Sequence, residues 1–506
     1  MNRFYITTPI YYVNDVPHIG HAYTTIACDV LARWYRLNDQ DVFFLTGTDE
    51  HGTKIAQAAA AHNKEPQEYC DHISALFQES WKQLDISNDG FIRTTTKDHE
   101  TAVQAFLKQL WEKGVIFKAS YSGKYCVQCE RFYTDDELIG GVCPDHRIKP
   151  EEQSEDNYFF RLSHFREDLL AAITQEDHPQ HFKIFPQERR NEVIGKLKQE
   201  INDVSISRAT LDWGIPLPWD RSQTTYVWID ALTNYLSAIG YPNNKEKLDH
   251  WWPANLHLMA KDILWFHAVI WPALLMATGL PLPKKIFAHG FFTVNGQKMS
   301  KSMGNVVRPA ELIQEYGVDG TRYLLLSAFP FGQDGDFTKD LMKTGYNAAL
   351  ANDLGNLISR ALTMVEKYCN AQSPAGEKSD LFNQVIDDLK PIGKSLDHLA
   401  FHTALSTLLI AVDRVNRFIE TKAPWKMAKT VPQEVPTVLY EVVVSLKAIV
   451  FYLWPFMPGT AQTIWMQLGE TKDLVTTAKK FLESPSLALF NNQQPIQKGT
   501  PLFPRK

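Results

Sequence analysis

The chain opens on Arg3 to Thr8 (RFYITT), a short, mostly apolar run closed by Pro9, which reads as a buried strand. From Ile19 the apolar positions return at Ala22/Tyr23, Ile26/Ala27, Val30/Leu31 and Trp34, the spacing of an amphipathic helix. Pro17 suits the first helical position, where no backbone donor is needed. Asp41 to Thr46 (DVFFLT) reads as a second strand and runs into the polar cluster Gly47-Thr48-Asp49-Glu50-His51-Gly52. This alternation of strand and helix continues to about residue 115. Residues 116 to about 225 break it with short strands, turns, Cys/His pairs and the Trp213 to Pro218 stretch. The alternating pattern resumes with Thr225 to Asp230 (TYVWID) and Leu256 to Met259, and a helix from Asp262 to about Thr278 is stopped by Gly279 and Pro281. Phe291 to Val294, then Asn295-Gly296, then Gln297 to Met299 reads as a hairpin with a two-residue turn. From about Tyr346 the period is helical almost throughout, as in Ala351 to Tyr368 and Val438 to Trp454. The stretch 471–506 is polar and proline-bearing and is expected to lie extended on the body.

The pattern predicts an α/β protein: a parallel sheet, split by an insertion and followed by an α-helical bundle. The expected segments are 1–115 and 226–325 for the two halves of the sheet domain and 116–225 for the insertion. A linker follows at 326–345, then the bundle at 346–470 and a tail at 471–506. In open α/β sheets ligands bind at the carboxyl ends of the strands, which makes the Gly47 to Gly52 cluster a candidate site. A net charge of −6 supplies no general basic field, so any nucleic-acid partner must be held by local patches. No apolar run reaches the ~20 residues that span a bilayer, and Met1 to Val13 resembles neither a secretory signal nor a transit peptide. Six cysteines in a chain of 506 residues do not suggest a disulfide scaffold, and the cytoplasm is the expected address.

Two segments carry the chemistry. In Pro17-His18-Ile19-Gly20-His21 the two histidines share a face at the positive end of a helix, where phosphates are favoured. Gly20, without a side chain, would let a flat base or ribose approach the backbone. In Lys298-Met299-Ser300-Lys301-Ser302 two lysines sit in the loop behind the hairpin, able to close over phosphates and stabilise a departing pyrophosphate. Alone, the first could be a helix start with two surface histidines and the second a solvated loop. Together, in this order, they point to adenylate chemistry. A third set, Cys126-x-x-Cys129 and Cys143-x-x-His146, has paired chelating spacing suited to a closed, structural zinc site, and Gly140-Gly141 permits the turn before its second half.

These segments are the two signatures of class I aminoacyl-tRNA synthetases, and with their flanks the chain resembles the methionyl-tRNA synthetases over essentially its whole length. The resemblance implies a Rossmann-like, doubly wound sheet, a single-zinc insertion (knuckle 126–146) and no C-terminal dimerisation module, hence a monomer. It implies the partners L-methionine, ATP with Mg²⁺, and initiator and elongator tRNA(Met), with no membrane. It makes Asp49 the partner of the substrate ammonium. The side-chain pocket falls to Tyr12, Trp228, Ala231, Leu232, Tyr235, Ile263 and His267, with Pro9 and Ile10 beside it and Asp262 near the polar end of the substrate or the ribose. His18, Gly20, His21, Lys298, Ser300 and Lys301 take ATP. Asn356, Arg360 and Trp425 fall at the anticodon-reading positions. The rivals are another class I synthetase, disfavoured by the Trp/Tyr/His pocket; a simpler nucleotidyltransferase, which has no use for the helical half; and a catalytically silent RNA-binding relative, disfavoured by intact His21, Lys301 and Asp49.

Overall fold

Consecutive residues of the first strand, Arg3–Thr7, lie in different cores: Ile6 packs in one apolar cluster and Tyr5 in another. The same split separates Phe44 from Leu45, Leu258 from Met259 and Phe287 from Ile286. Strands covered on both faces have no polar side to show, which is why they read as near-continuous apolar runs. The computed structural model describes residues 2–126, 131–133, 135–144, 147–209, 211–294, 296–299 and 305–506.

Arg3–Thr7 is flanked by Asp41–Asp49 on one side and Leu256–Ala260 on the other, followed outward by Lys285–His289 and Lys183–Phe185. Tyr11–Tyr12 and Gly90–Arg93 also pair with Asp41–Asp49, and every pairing in this sheet is parallel. The chain leaves the first strand toward Asp41–Asp49 and reaches its other neighbour only after the insertion. The order therefore reverses beside the first strand, and reversal opens a crevice at the carboxyl ends. Gly47 permits the close approach of Gly90–Arg93, since a Cβ there would stand 2.2 Å from the Ile92 carbonyl oxygen.

The structure departs from the sequence reading in five places. Lys183–Phe185, inside the stretch read as insertion, is the outer strand of the main sheet. Thr225 to Asp230 is not a strand: after a two-residue bridge at Thr224–Thr225, Val227–Ser237 is a helix. The first helix, Ile19–Leu37, begins behind His18 as its cap, so Pro17 stands just outside it. The Asp262 helix is composite, with a tight turn at Lys261–Ile263, a wide π turn at Phe266–Ile270 and an α-helix at Trp271–Thr278 that ends at left-handed Gly279. The tail contains a helix, Leu474–Glu483, capped by Asp473.

The first part of the insertion is an antiparallel sheet built on Ile116–Cys126 and Glu151–Phe160, and two helices, Arg166–Thr174 and Gln187–Leu197, follow it. The helical half is joined to the sheet domain through Arg322 of Pro309–Ser327, fully buried. It donates to Asp29 of the first helix (2.7 Å) and to the carbonyls of Leu84, Pro455 and Phe456. Arg33 holds Asp29 at 2.8 Å as well. Burial would raise the Asp29 pKa, but Arg322 and Arg33 outweigh it and bring it below the usual carboxylate range. Pro432–Leu453 has the length and hydropathy to cross a membrane, yet 83% of its apolar window is buried, and its main part, Val435–Leu453, is a core helix of the bundle.

Candidate active site

At the start of Ile19–Leu37 the orphan backbone donors are satisfied by imidazoles. Gly20 N–H donates to His18 Nδ1 (3.1 Å) and His18 N–H donates to His21 Nδ1 (3.3 Å). The two rings stack with centroids 3.7 Å apart, and Tyr11 and Phe77 pack against His21. Burial pushes the His18 pKa down to about 4, with Asp15 opposing, and holds His21 well below its ordinary value, helped by His18. Both rings are thus neutral at physiological pH. With each Nδ1 accepting, each proton must sit on Nε2, so the signature presents two neutral N–H donors at a helix N-terminus. The space above Gly20 is taken by His18 itself: a Cβ there would stand 2.9 Å from His18 Cε1.

The hairpin forms as the Asn-Gly turn predicts, with Phe292–Val294 antiparallel to Gln297–Lys298. It is held by two aspartates that the sequence reading missed, one at the turn and one at the base. Asp336 Oδ1 accepts from Gly296 N–H and Thr293 Oγ1, both at 2.8 Å. Asp334 binds Lys261 Nζ (2.6 Å) and accepts from Phe291 N–H, joining the hairpin to the segment that carries Asp262 and Ile263. The Lys298 backbone closes the ladder; Ser300 and Lys301 lie outside the described residues.

Across the crevice Tyr12 pairs in register with Asp49, beside Pro9 and Ile10. The strand end is braced from behind: Glu50 takes Arg93 in a two-pronged ion pair (2.7 and 2.9 Å), and its carbonyl accepts from Trp213 Nε1 (2.6 Å). Trp228, Ala231, Leu232 and Tyr235 lie at helical spacing on Val227–Ser237, and Trp228 stacks on Phe266 at 3.8 Å. Tyr235 Oη lies 2.7 Å from His267 Nε2, while His267 Nδ1 lies 3.0 Å from the Ile263 carbonyl. A carbonyl can only accept, so Nδ1 carries the proton and Tyr235 donates to Nε2. Burial lowers the His267 pKa to about 4, which keeps this ring neutral. The structure thus brings Tyr12 to Asp49, and Trp228, Tyr235, Ile263 and His267 to one another. It also shows pairs the sequence did not reveal, Glu50 with Arg93 and His51 with Asp230 (2.6 Å). An acid inside the apolar run Tyr-Val-Trp-Ile-Asp was the available signal, because buried carboxylates need partners.

In the bundle, Asn356 and Arg360 share one face of Asn356–Tyr368 and line a cleft of about 480 Å³ with Asn352, Asp353, Arg417 and Glu420. Arg360 pairs with Glu420 at 2.6 Å and lies 6.0 Å from the Trp425 ring. Cys126 and Cys143 are buried together around Tyr133; Cys129 and His146 lie outside the described residues.

A parallel sheet with its signature helix at the switch point and a lysine hairpin opposite matches what sequence comparison finds. The family of tRNA synthetases class I (M) matches residues 4–151 and 146–362. The methionine–tRNA ligase of Caldanaerobacter subterraneus is 46% identical over 99% of this chain and 78% of its own, and that of Streptomyces coelicolor 43% over 99% and 96%. The solved Mycobacterium tuberculosis methionyl-tRNA synthetase in complex with methionyl-adenylate superposes with a TM-score of 0.93 at 39% identity, each chain covered in full (100%). The chain belongs to the class I tRNA synthetases. Within that class its place is with the methionine–tRNA ligases: it activates methionine with ATP and charges it onto tRNA.

Proposed function

We propose that catalysis here is positioning and charge stabilisation, carried by the paired neutral donors of His18 and His21. The carboxylate of methionine attacks the α-phosphorus of ATP, so no protein nucleophile is required. His18 and His21 hold the phosphates through Nε2–H, and Lys301, helped by Lys298, neutralises the leaving pyrophosphate. Asp49 takes the substrate ammonium. Trp228, Tyr235 and His267 wall the thioether, a group that packs well against ring edges. The observation that carries this reading is the capping geometry, which leaves both protons on Nε2. Mg²⁺ accompanies ATP. Asn356, Arg360 and Trp425 read the anticodon of initiator and elongator tRNA(Met), and Ser300 and Asp262 attend the nucleotide and the polar end of the substrate. We place the enzyme in the cytoplasm, as a monomer.

Zinc fits the insertion. Cys126 and Cys143, 2% and 0% exposed, meet in a cluster separate from the main cores. With Cys129 and His146, which stand at chelating spacing in the sequence, they would make a Cys₃His donor set that leaves no coordination position open. The ion would supply a structural tie there.

The test is amino-acid-dependent ATP–pyrophosphate exchange across the twenty amino acids. Methionine alone is expected to stimulate it. Lys301→Ala is expected to cut exchange by ~10²-fold or more while methionine still binds. Exchange driven by another amino acid, or undiminished in Lys301→Ala, would overturn the assignment.

A further inference from the structure

Methionine must be held at both ends, and the residues assigned to its two ends stand on different elements. Asp49 ends a strand; Trp228 begins a helix. Two residues beyond each lies a partner of the other: His51 Nδ1 donates to Asp230 Oδ2 at 2.6 Å. The second carboxylate oxygen, Oδ1, accepts from His99 Nε2 at 2.7 Å, and His99 Nδ1 lies 2.8 Å from Ser237 Oγ at the end of the same helix. The three side chains are 5%, 1% and 0% exposed, so this cluster is closed off from solvent. Arg93 and Trp213 brace the strand end at Glu50. A direct side-chain link from that strand end to the Trp228 helix is His51 to Asp230.

We infer that His51 and Asp230 are positioning residues for methionine recognition, fixing the spacing between the carboxylate that takes the ammonium and the aromatic wall that takes the side chain. Neither is a catalytic residue. A buried carboxylate between two imidazoles allows little displacement, because losing either donor leaves one buried carboxylate oxygen without a partner. His99 secures Asp230 from the far side, so the anchor point on the helix stays in place when His51 alone is changed. The inference rests on the pocket reading above, and its test separates the two.

The experiment is ATP–pyrophosphate exchange by the full chain carrying His51→Ala, His51→Asn or Asp49→Asn. An asparagine amide nitrogen sits close to where imidazole Nδ1 sits and can donate to Asp230; alanine cannot. His51→Ala is expected to raise the methionine KM by about tenfold or more with the ATP KM within about twofold, and His51→Asn to restore methionine to within about threefold. If His51→Ala does not fold, His51→Gln, whose amide reaches one methylene too far, replaces it with the same expectation. The inference falls if methionine KM is unmoved, if methionine and ATP KM rise together, or if asparagine does no better than alanine or glutamine. Asp49→Asn decides where the fault lies. If it leaves methionine KM unchanged the pocket reading fails; if it raises KM while His51→Ala does not, the positioning role alone fails.

Discussion

His18 caps the first helix with Nδ1 and offers a ligand Nε2–H, so structure and chemistry use different atoms of one ring. The two can be separated by substitution. His18→Asn keeps a capping acceptor and loses the outer donor, whereas His18→Ala loses both. His18→Ala is expected to cost about 1 kcal/mol of stability in thermal unfolding and His18→Asn about half of that or less. Both are expected to lower pyrophosphate exchange by ~10²-fold or more. Stability differing in this way with activity equally low would establish the division. The sign with pH follows from burial. With a folded pKa of about 4 against 6.5 unfolded, His18 binds more protons when the chain unfolds, so its contribution to stability falls as pH drops through that window. Exchange should likewise decline only as pH approaches 4, when the ring gains its charge.

At the scale of the element, what could be read depended on how local the determinant was. The lysine hairpin was readable because an Asn-Gly turn specifies its own register. The first helix was readable from nineteen residues of regular period. Val227–Ser237 was not: Val, Trp, Ile and Tyr favour strands locally, and only packing around Tyr235 and the buried Asp230 makes the segment a helix. Lys183–Phe185 is three residues long, too short for any period to register. The partners of His51, Glu50 and Asp336 lie 179, 43 and 40–43 positions away, beyond any local pattern. The pocket and anticodon roles came from resemblance; the bracing of the site came from the fold. Asp336 makes this testable. Asp336→Ala removes the bonds to the hairpin's turn and first strand, and is expected to slow adenylate formation by about tenfold while costing about 1 kcal/mol or less of stability. A methionine KM that rose with it would place Asp336 in substrate binding and not in support of the loop.

Across the whole molecule, one guanidinium joins the halves. Arg322 reaches Asp29, 293 positions earlier, and two carbonyls of the bundle, all without solvent. Arg322→Met is expected to cost about 3–5 kcal/mol in urea unfolding, because Asp29 and three carbonyls lose a buried donor. A loss under about 1 kcal/mol would mean that apolar packing alone holds the halves together.

The contacts of the first helix with the last third of the chain also order events in time. Trp34 packs 5.9 Å from Tyr452, and Arg33 lies 5.1 Å from the ring of Trp454. A growing polypeptide therefore carries the Arg33–Trp34 end of its signature helix without these two partners while more than four hundred further residues are added. At ~5–20 residues per second that interval lasts roughly 20 to 80 s. Through it the nascent chain offers an apolar face to whatever is nearest, and a chaperone at the ribosome has that long to occupy it before Val435–Leu453 arrives.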